Sequence, residues 1–211
     1  MTKIKIQIKS ILGSVLFELE KKDNTLKETV ETFIKEKAGE QIKDCDLSNL
    51  DLSGISFDNS RFDNSRFYNS SFDNSSFDNS RFYNSSFDNS RFNDDTVKNI
   101  LEAGQIGMFD PYKHDFWAVL LKSKNEISQL KQALIEGRID GSKYEGECSC
   151  LKGTIATIKN CNYKELPNMK ADSSEPSELW FMQLSPGMTP ENSEISKLTV
   201  KWIEEFESFL K

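Results

Sequence analysis

The chain carries one histidine, His114, within FDPYKHDFW, with Asp115 beside it. An imidazole next to a carboxylate can serve as a general base, but it needs a nucleophile or a second acid to work with. No such motif accompanies the pair, so a loop or docking contact is the expected role. Three thiols fall close together, Cys148-x-Cys150 and Cys161. Structural zinc sites close four ligands, commonly through cysteine knuckles with roughly two to four residues between the thiols. The Cys148–Cys150 spacing is tighter than a knuckle, and a fourth ligand would have to be His114 or Cys45. Buried thiols are therefore expected ahead of a metal centre. Gly146 and Gly153 flank the cysteines, but no Gly-Lys-Ser/Thr follows to cradle a phosphate. No assembled catalytic set emerges, no cofactor is implied, and the protein is expected not to be an enzyme.

The remaining chemistry is charge. The 211 residues carry a formal net charge of −7, which argues against a nucleic-acid binder held by phosphate contacts and leaves basic partners open. The charge is uneven. Residues 1–43 hold nine Lys against seven acidic groups, a net +2, while residues 44–95 hold ten Asp against four Arg, a net −6. Residues 96–211 have a net −3. The candidate binding residues are thus the outward acids Asp51, Asp58, Asp63, Asp73, Asp78 and Asp88, with the aromatics Tyr68 and Tyr83 among them as possible anchors.

Those residues sit on a period of five. From Ser60 the chain reads SRFDN SRFYN SSFDN SSFDN SRFYN SSFDN SRFND. Large apolar residues fall at Leu47, Leu52, Phe57, Phe62, Phe67, Phe72, Phe77, Phe82, Phe87 and Phe92, each preceded two places earlier by a residue such as Cys45, Leu50, Ile55 or Ser60. Five matches neither the 3.6 period of a helix nor the period of two of a strand. Each ring offers roughly 150–250 Å² for burial, so the chain needs a geometry that hides them all. A coil turning about a quarter circle per repeat does so, its rungs hydrogen-bonded at a spacing of about 4.8 Å. Every Phe then points to the axis, the residue two before it also points inward, and residues twenty apart stack. Asp58 falls under Asp78, and Arg61 under Arg81. Asn64–Asn84, Asn69–Asn89 and Asn74–Asp94 are expected to continue the stacks at the corners. Ten repeats make a column only about 12 Å tall on that spacing.

This segment resembles the pentapeptide-repeat family, whose pattern is small–(Asp/Asn)–(Leu/Phe)–x–x. The resemblance implies a right-handed quadrilateral β-helix. The chain departs from the pattern by placing Ser inside, and Arg or Ser where Asp or Asn is usual, so its buried hydroxyls must find backbone or stacked Ser partners. Members of the family resemble duplex DNA in width and charge and inhibit or shield DNA-binding enzymes such as gyrase. The resemblance therefore implies an acidic rod that mimics nucleic acid in the basic groove of a host protein.

The flanks complete the expected architecture, a mixed β and α chain in three parts. Residues 1–41 read as a ββα cap: alternation at 3–9 and 14–20 predicts a hairpin turning at Gly13, and 25–37 a helix stopped at Gly39. Residues 42–95 form the β-helix, which needs a cap because an open coil edge is a template for association. Residues 96–211 are expected to be an α+β domain, with helices over 125–136 and from Thr189 (N-cap) and Pro190 onward, and a strand at Glu178–Leu184. Cap and C-terminal half resemble those of phage and prophage pentapeptide-repeat proteins. No apolar run is long enough to cross a membrane and no export signal precedes the hairpin, so a cytoplasmic protein of the host bacterial cell is expected. Two other roles remain open: a structural or homo-oligomerising element of a phage assembly, and capture of a small molecule or nucleotide by the C-terminal domain.

Overall fold

A computed structural model describes residues 2–146, 149–170 and 172–211. The chain divides into two compact units, Met1–Met108 and Phe109–Lys211.

The first unit opens with a hairpin, β1 (Lys3–Ser10) and β2 (Val15–Lys22), paired from Lys3↔Lys22 to Ile8↔Phe17. Its alternation puts Ile4, Ile6 and Ile8 on one face with Phe17 and Leu19, and helix α1 (Leu26–Glu36) buries Val30, Phe33 and Ile34. Thr25 caps α1 by accepting the Glu28 N–H at 3.2 Å, and Gly39 ends the segment at φ +83°. The hairpin joins the repeat block edge to edge, with Lys9 opposite Asp46 and Ser10 opposite Cys45.

In the repeat block, parallel pairing recurs at an offset of twenty residues. The short strands β3 (Ile42–Lys43), β4 (Cys45–Asp46) and β5 (Phe62–Asp63) mark it, with β3 on β5, and bridges follow at Asp46↔Arg66↔Ser86, Asp51↔Ser71↔Arg91, Ser56↔Ser76 and Arg61↔Arg81. Ile42 pairs with Phe62, so the coil begins one repeat before the first that the Leu and Phe spacing picks out. Phe57, Phe62, Phe67, Phe72, Phe77 and Phe92 are fully buried. Rings twenty apart lie face to face, Phe67 on Phe87 at 4.7 Å and 2°, Phe62 on Phe82 at 5.7 Å and 3°. Rings of adjacent repeats meet edge to face, as in Phe62–Phe67 at 5.2 Å and 77°. Edge-to-face contact is the geometry the ring quadrupole favours, and the rung spacing imposes the stacked one.

The inward serines hold rungs together. Ser70 Oγ donates to the Leu47 carbonyl at 2.8 Å and accepts the Leu50 N–H at 3.1 Å; Ser90 repeats this with Phe67 (2.6 Å) and Ser70 (3.4 Å). An inward Ala would leave that N–H without the hydroxyl. The corner position explains the asparagines: Asn49, Asn59, Asn64, Asn69, Asn74, Asn79, Asn84 and Asn89 all have φ between +50° and +61°, the left-handed region that Asn tolerates.

Helix α2 (Asp94–Glu102) ends the coil. Asn93 leaves the ladder to cap it, accepting the Thr96 N–H at 3.0 Å, and in doing so donates to Asn74 Oδ1 at 2.8 Å. The partner of Asn74 is therefore Asn93 rather than the expected Asp94, because the chain turns into the helix there.

The second unit, by contrast, is helical: α3 (Asp110–Lys122), α4 (Ile127–Ile135), α5 (Leu151–Lys159), α6 (Pro176–Phe181) and α7 (Glu194–Phe209). Its core holds Trp180 against Trp202 at 4.8 Å and against Phe109 at 5.2 Å. Trp180 Nε1 donates to Thr199 Oγ1 at 2.7 Å. Among the described residues its only strand-like pairing is one bridge, Ile139↔Ser149, so the α+β expectation gives way to a helical unit. The segment expected as a strand at Glu178–Leu184 starts with helix α6. Burial falls on Ser177, Trp180, Phe181 and Leu184, the three-and-four spacing of a helix, and Pro176 sits in its first turn. The last helix likewise begins later than Thr189. Thr189 and Pro190 make a turn in which Thr189 C=O accepts from Ser193 N–H at 2.9 Å, and Ser193 is the N-cap, accepting the Ser196 N–H at 3.1 Å.

Candidate functional site

Four repeats per turn sort the coil into four columns of rungs. Column one is 41–45, 61–65 and 81–85; column two is 46–50, 66–70 and 86–90; column three is 51–55, 71–75 and 91–93, where α2 takes over; column four is 56–60 and 76–80. Their formal charges differ. Column one carries Lys43, Arg61 and Arg81 against Asp44 and Asp63, net +1. Column two has Arg66 against Asp46 and Asp88, net −1. Column three has Arg91 against Asp51 and Asp73, net −1, and runs into Asp94 and Asp95 in the first turn of α2. Column four has Asp58 and Asp78 and no cation, net −2.

The six candidate acids are therefore spread over all four columns rather than gathered in one. Asp58 and Asp78 do stack, and Asp58 Oδ1 accepts the Asp78 N–H at 2.8 Å. Asp51 is exposed and accepts the Ser53 N–H at 3.1 Å; the Ser53 hydroxyl and N–H hold its carboxyl below the usual range. Asp73, one turn on in the same column, is bound by Arg91 at 2.7 Å. Asp88 accepts from the Ser86 hydroxyl at 2.8 Å. Asp63 is only 9 % exposed, so it offers little to a partner. Tyr68 and Tyr83 are 44 % and 75 % exposed, in columns two and one. Each lines a hollow of about 390 Å³, Tyr68 with Asp46, Asn49 and Arg66, Tyr83 with Phe82, Gln105 and Met108.

In the second unit, His114 lies 6.4 Å from the Trp117 ring, and Asp115 is engaged elsewhere, its Oδ2 accepting the Ser177 N–H at 2.9 Å. Cys148 lies outside the described residues. Cys45, Cys150 and Cys161 are free thiols, and burial pushes Cys45 and Cys150 up to about 12, so neither is a thiolate at neutral pH. Among the described residues no three His, Cys, Asp or Glu side chains are grouped to hold a metal. Gly153 belongs to α5, where a Cβ would come within 2.3 Å of the Tyr144 carbonyl, so close packing explains it.

A buried polar cluster that no sequence motif announces lies in this unit. Lys152 is 1 % exposed; its Nζ binds Glu175 and the Lys170 carbonyl and lies 4.0 Å from Glu178 Oε1. Glu178, equally buried, accepts the Lys152 N–H at 3.3 Å, while its Oε2 and the Ser177 hydroxyl have no partner. Burial raises the Glu178 carboxyl above its ordinary value, against the opposing pull of Cys150 and Lys152. Nothing in the local sequence marks a lysine and a glutamate as interior.

Comparison with known proteins bears on the coil alone. Residues 42–97 match the family model for pentapeptide repeats, with nine copies. The block is thus a run of pentapeptide repeats, flanked by segments with no such match. No curated protein and no solved structure matches the chain. Among the described residues no helix is long and apolar enough to cross a membrane.

Proposed function

We propose that this is a non-catalytic binding protein of phage type, whose repeat block is a right-handed quadrilateral β-helix. In this reading columns three and four offer an acidic surface to the basic, nucleic-acid-binding groove of a host protein, which the surface inhibits or shields. The observation that carries the reading is column four: Asp58 over Asp78 with no cation in that column, next to one of net −1 that leads into Asp94 and Asp95 at the start of α2. A partner groove built to neutralise phosphates gains the same long-range attraction from fixed carboxylates on a rigid frame. The frame is rigid because side chains and backbone are both committed to the ladder, leaving only outward positions for recognition. Tagged full-length protein, incubated with bacterial lysate, is expected to retain a nucleic-acid-binding enzyme at low salt. Duplex DNA, or salt at about 0.5 M, is expected to release it. Retention of such an enzyme through the high-salt wash, or no such enzyme at all, would overturn the reading.

A second reading rests on one observation in the second unit. Glu178 Oε2 and Ser177 Oγ are buried polar atoms without partners, and such atoms are costly unless something pairs with them. Capture of a small polar molecule there predicts a rise in the melting temperature with one member of a nucleotide panel. A flat response across the panel removes this reading.

A further inference from the structure

Column one differs from the acidic columns in two ways that point to a second interaction surface. The first is its charge. Arg61 and Arg81 occupy the same outward position one rung apart, about 4.8 Å on the strand spacing, and among the described residues no carboxylate pairs with either. Two unpaired guanidiniums at that separation favour an anionic neighbour.

The second is its backbone. Throughout the coil the centre residue and the one two places on donate upward: Phe62 N–H to the Arg81 carbonyl at 2.8 Å, Asn64 N–H to the Tyr83 carbonyl at 2.9 Å. The residue before the centre donates downward, as Ser86 N–H does to the Ser65 carbonyl at 3.0 Å. By the same rule the last rung of column one presents Phe82 N–H, Asn84 N–H and the Ser85 carbonyl to a rung that the chain does not supply. Elsewhere the chain caps such groups itself. Asn93 Oδ1 accepts Asn74 N–H at 3.2 Å, Asn99 Oδ1 accepts Phe77 N–H at 2.8 Å, and Gln105 Nε2 donates to the Ser80 carbonyl at 2.8 Å. Above Phe82 and Asn84 no described residue does this, and the hollow of about 390 Å³ lies beside them. Phe82, stacked on Phe62 below, is the one ring of the coil interior that is not fully covered.

We propose that the Arg81–Ser85 edge is a strand-addition site that takes an extended segment of a partner protein, with an acidic residue immediately before a large apolar one. The ladder fixes that register. The residue over Arg81 stands beside a guanidinium and is a carboxylate; the next covers Phe82 and is apolar; its backbone carbonyls meet the Phe82 and Asn84 N–H groups. Exposed Tyr83 flanks the segment on the solvent side. This surface is separate from the acidic columns and opposite in sign, so it survives or fails independently of the groove-binding reading.

The test uses the full chain, 15N-labelled, titrated with a capped peptide Gly-Ser-Glu-Phe-Asp-Asn-Gly and with the same peptide carrying Lys in place of Glu. Saturable shifts at the Phe82 and Asn84 amides are expected with the first peptide, and binding about tenfold weaker with the second. Arg81→Glu, at an exposed position, is expected to reverse the preference between the two peptides. In the free protein these two amides are expected to exchange about a hundredfold faster than those of Phe62 and Asn64. Equal protection of all four amides, shifts centred on Asp58 and Asp78, indifference to the peptide's charge, or no shift up to millimolar peptide would each overturn the proposal. Self-association abolished by Arg81→Glu would put a second copy on the edge and overturn it too.

Discussion

The coil and the helical unit bury aromatic residues in comparable depth, yet they achieve it by different means. In the coil one five-residue rule is applied over and over, so that Phe67 meets Phe57, Phe62, Phe72, Phe82 and Phe87 in a regular lattice of stacked and edge-on rings. In the second unit Trp180 meets Phe109, Tyr112 and Trp202, residues drawn from two distant stretches of chain, the start of α3 and the middle of α7, with no repeating interval. The coil's polar interior is equally regular, serine hydroxyls binding backbone groups rung by rung. The helical unit instead buries an ionisable cluster around Lys152 and Glu178, the most enclosed of its charged groups among the described residues. A repeated interior is insensitive to pH and sensitive to any break in the ladder, whereas a singular one is sensitive to the charge state of one group.

Substitutions in the two interiors should therefore differ in size and in pH dependence. The largest effect is expected for Phe67→Ala, which opens a cavity inside the ring lattice and should cost about 3–5 kcal/mol in urea unfolding. The same truncation of Phe82, at the partly uncovered end, should cost visibly less, and equal costs would argue against a graded ladder. Next is Glu178→Gln. Its folded pKa lies above the ordinary value of 4.5, so the wild-type contribution is fully present below pH 4.5 and is lost as pH rises through the folded value. The Gln variant should therefore be the more stable protein at neutral pH, with a flatter stability–pH curve above 4.5; a variant less stable at pH 7 would contradict this. Ser70→Ala removes a donor to Leu47 and an acceptor for Leu50, and about 1–3 kcal/mol should be lost. Smallest is the difference between Asn69→Ala and Asn69→Gly. Both lose the 3.0 Å bond to Asn49, but only Ala is strained at φ +56°, so it should fall about 1 kcal/mol below Gly in thermal unfolding.

The same contrast explains how much was legible in the sequence. A period of five admits few geometries, so the inward Phe and Ser positions, the twenty-residue stacking and the corner asparagines could be read from spacing alone. The exit from the coil could not, because Asn93 satisfies the repeat pattern and the helix-cap pattern equally well. Segment ELWFMQL reads as a strand by composition, and only tertiary burial of Trp180 and Phe181 on one helical face decides otherwise. Of the candidate site, residue types and stacking partners were visible, as with Asp58 and Asp78. Burial of Asp63 and the neutralisation of Asp73 by Arg91 were not, since both depend on how side chains settle between adjacent rungs.

If a partner reads the acidic columns of a rigid coil, removing their charge without touching the ladder should abolish its capture. Asp58→Asn combined with Asp78→Asn removes two outward charges while leaving the Phe ladder untouched. Lysate capture with this variant and with the wild type, at matched low salt, should show the nucleic-acid-binding partner lost with the variant while the melting temperature stays within about 2 °C of wild type. Undiminished capture by a variant of unchanged stability would contradict the claim and move recognition away from these columns.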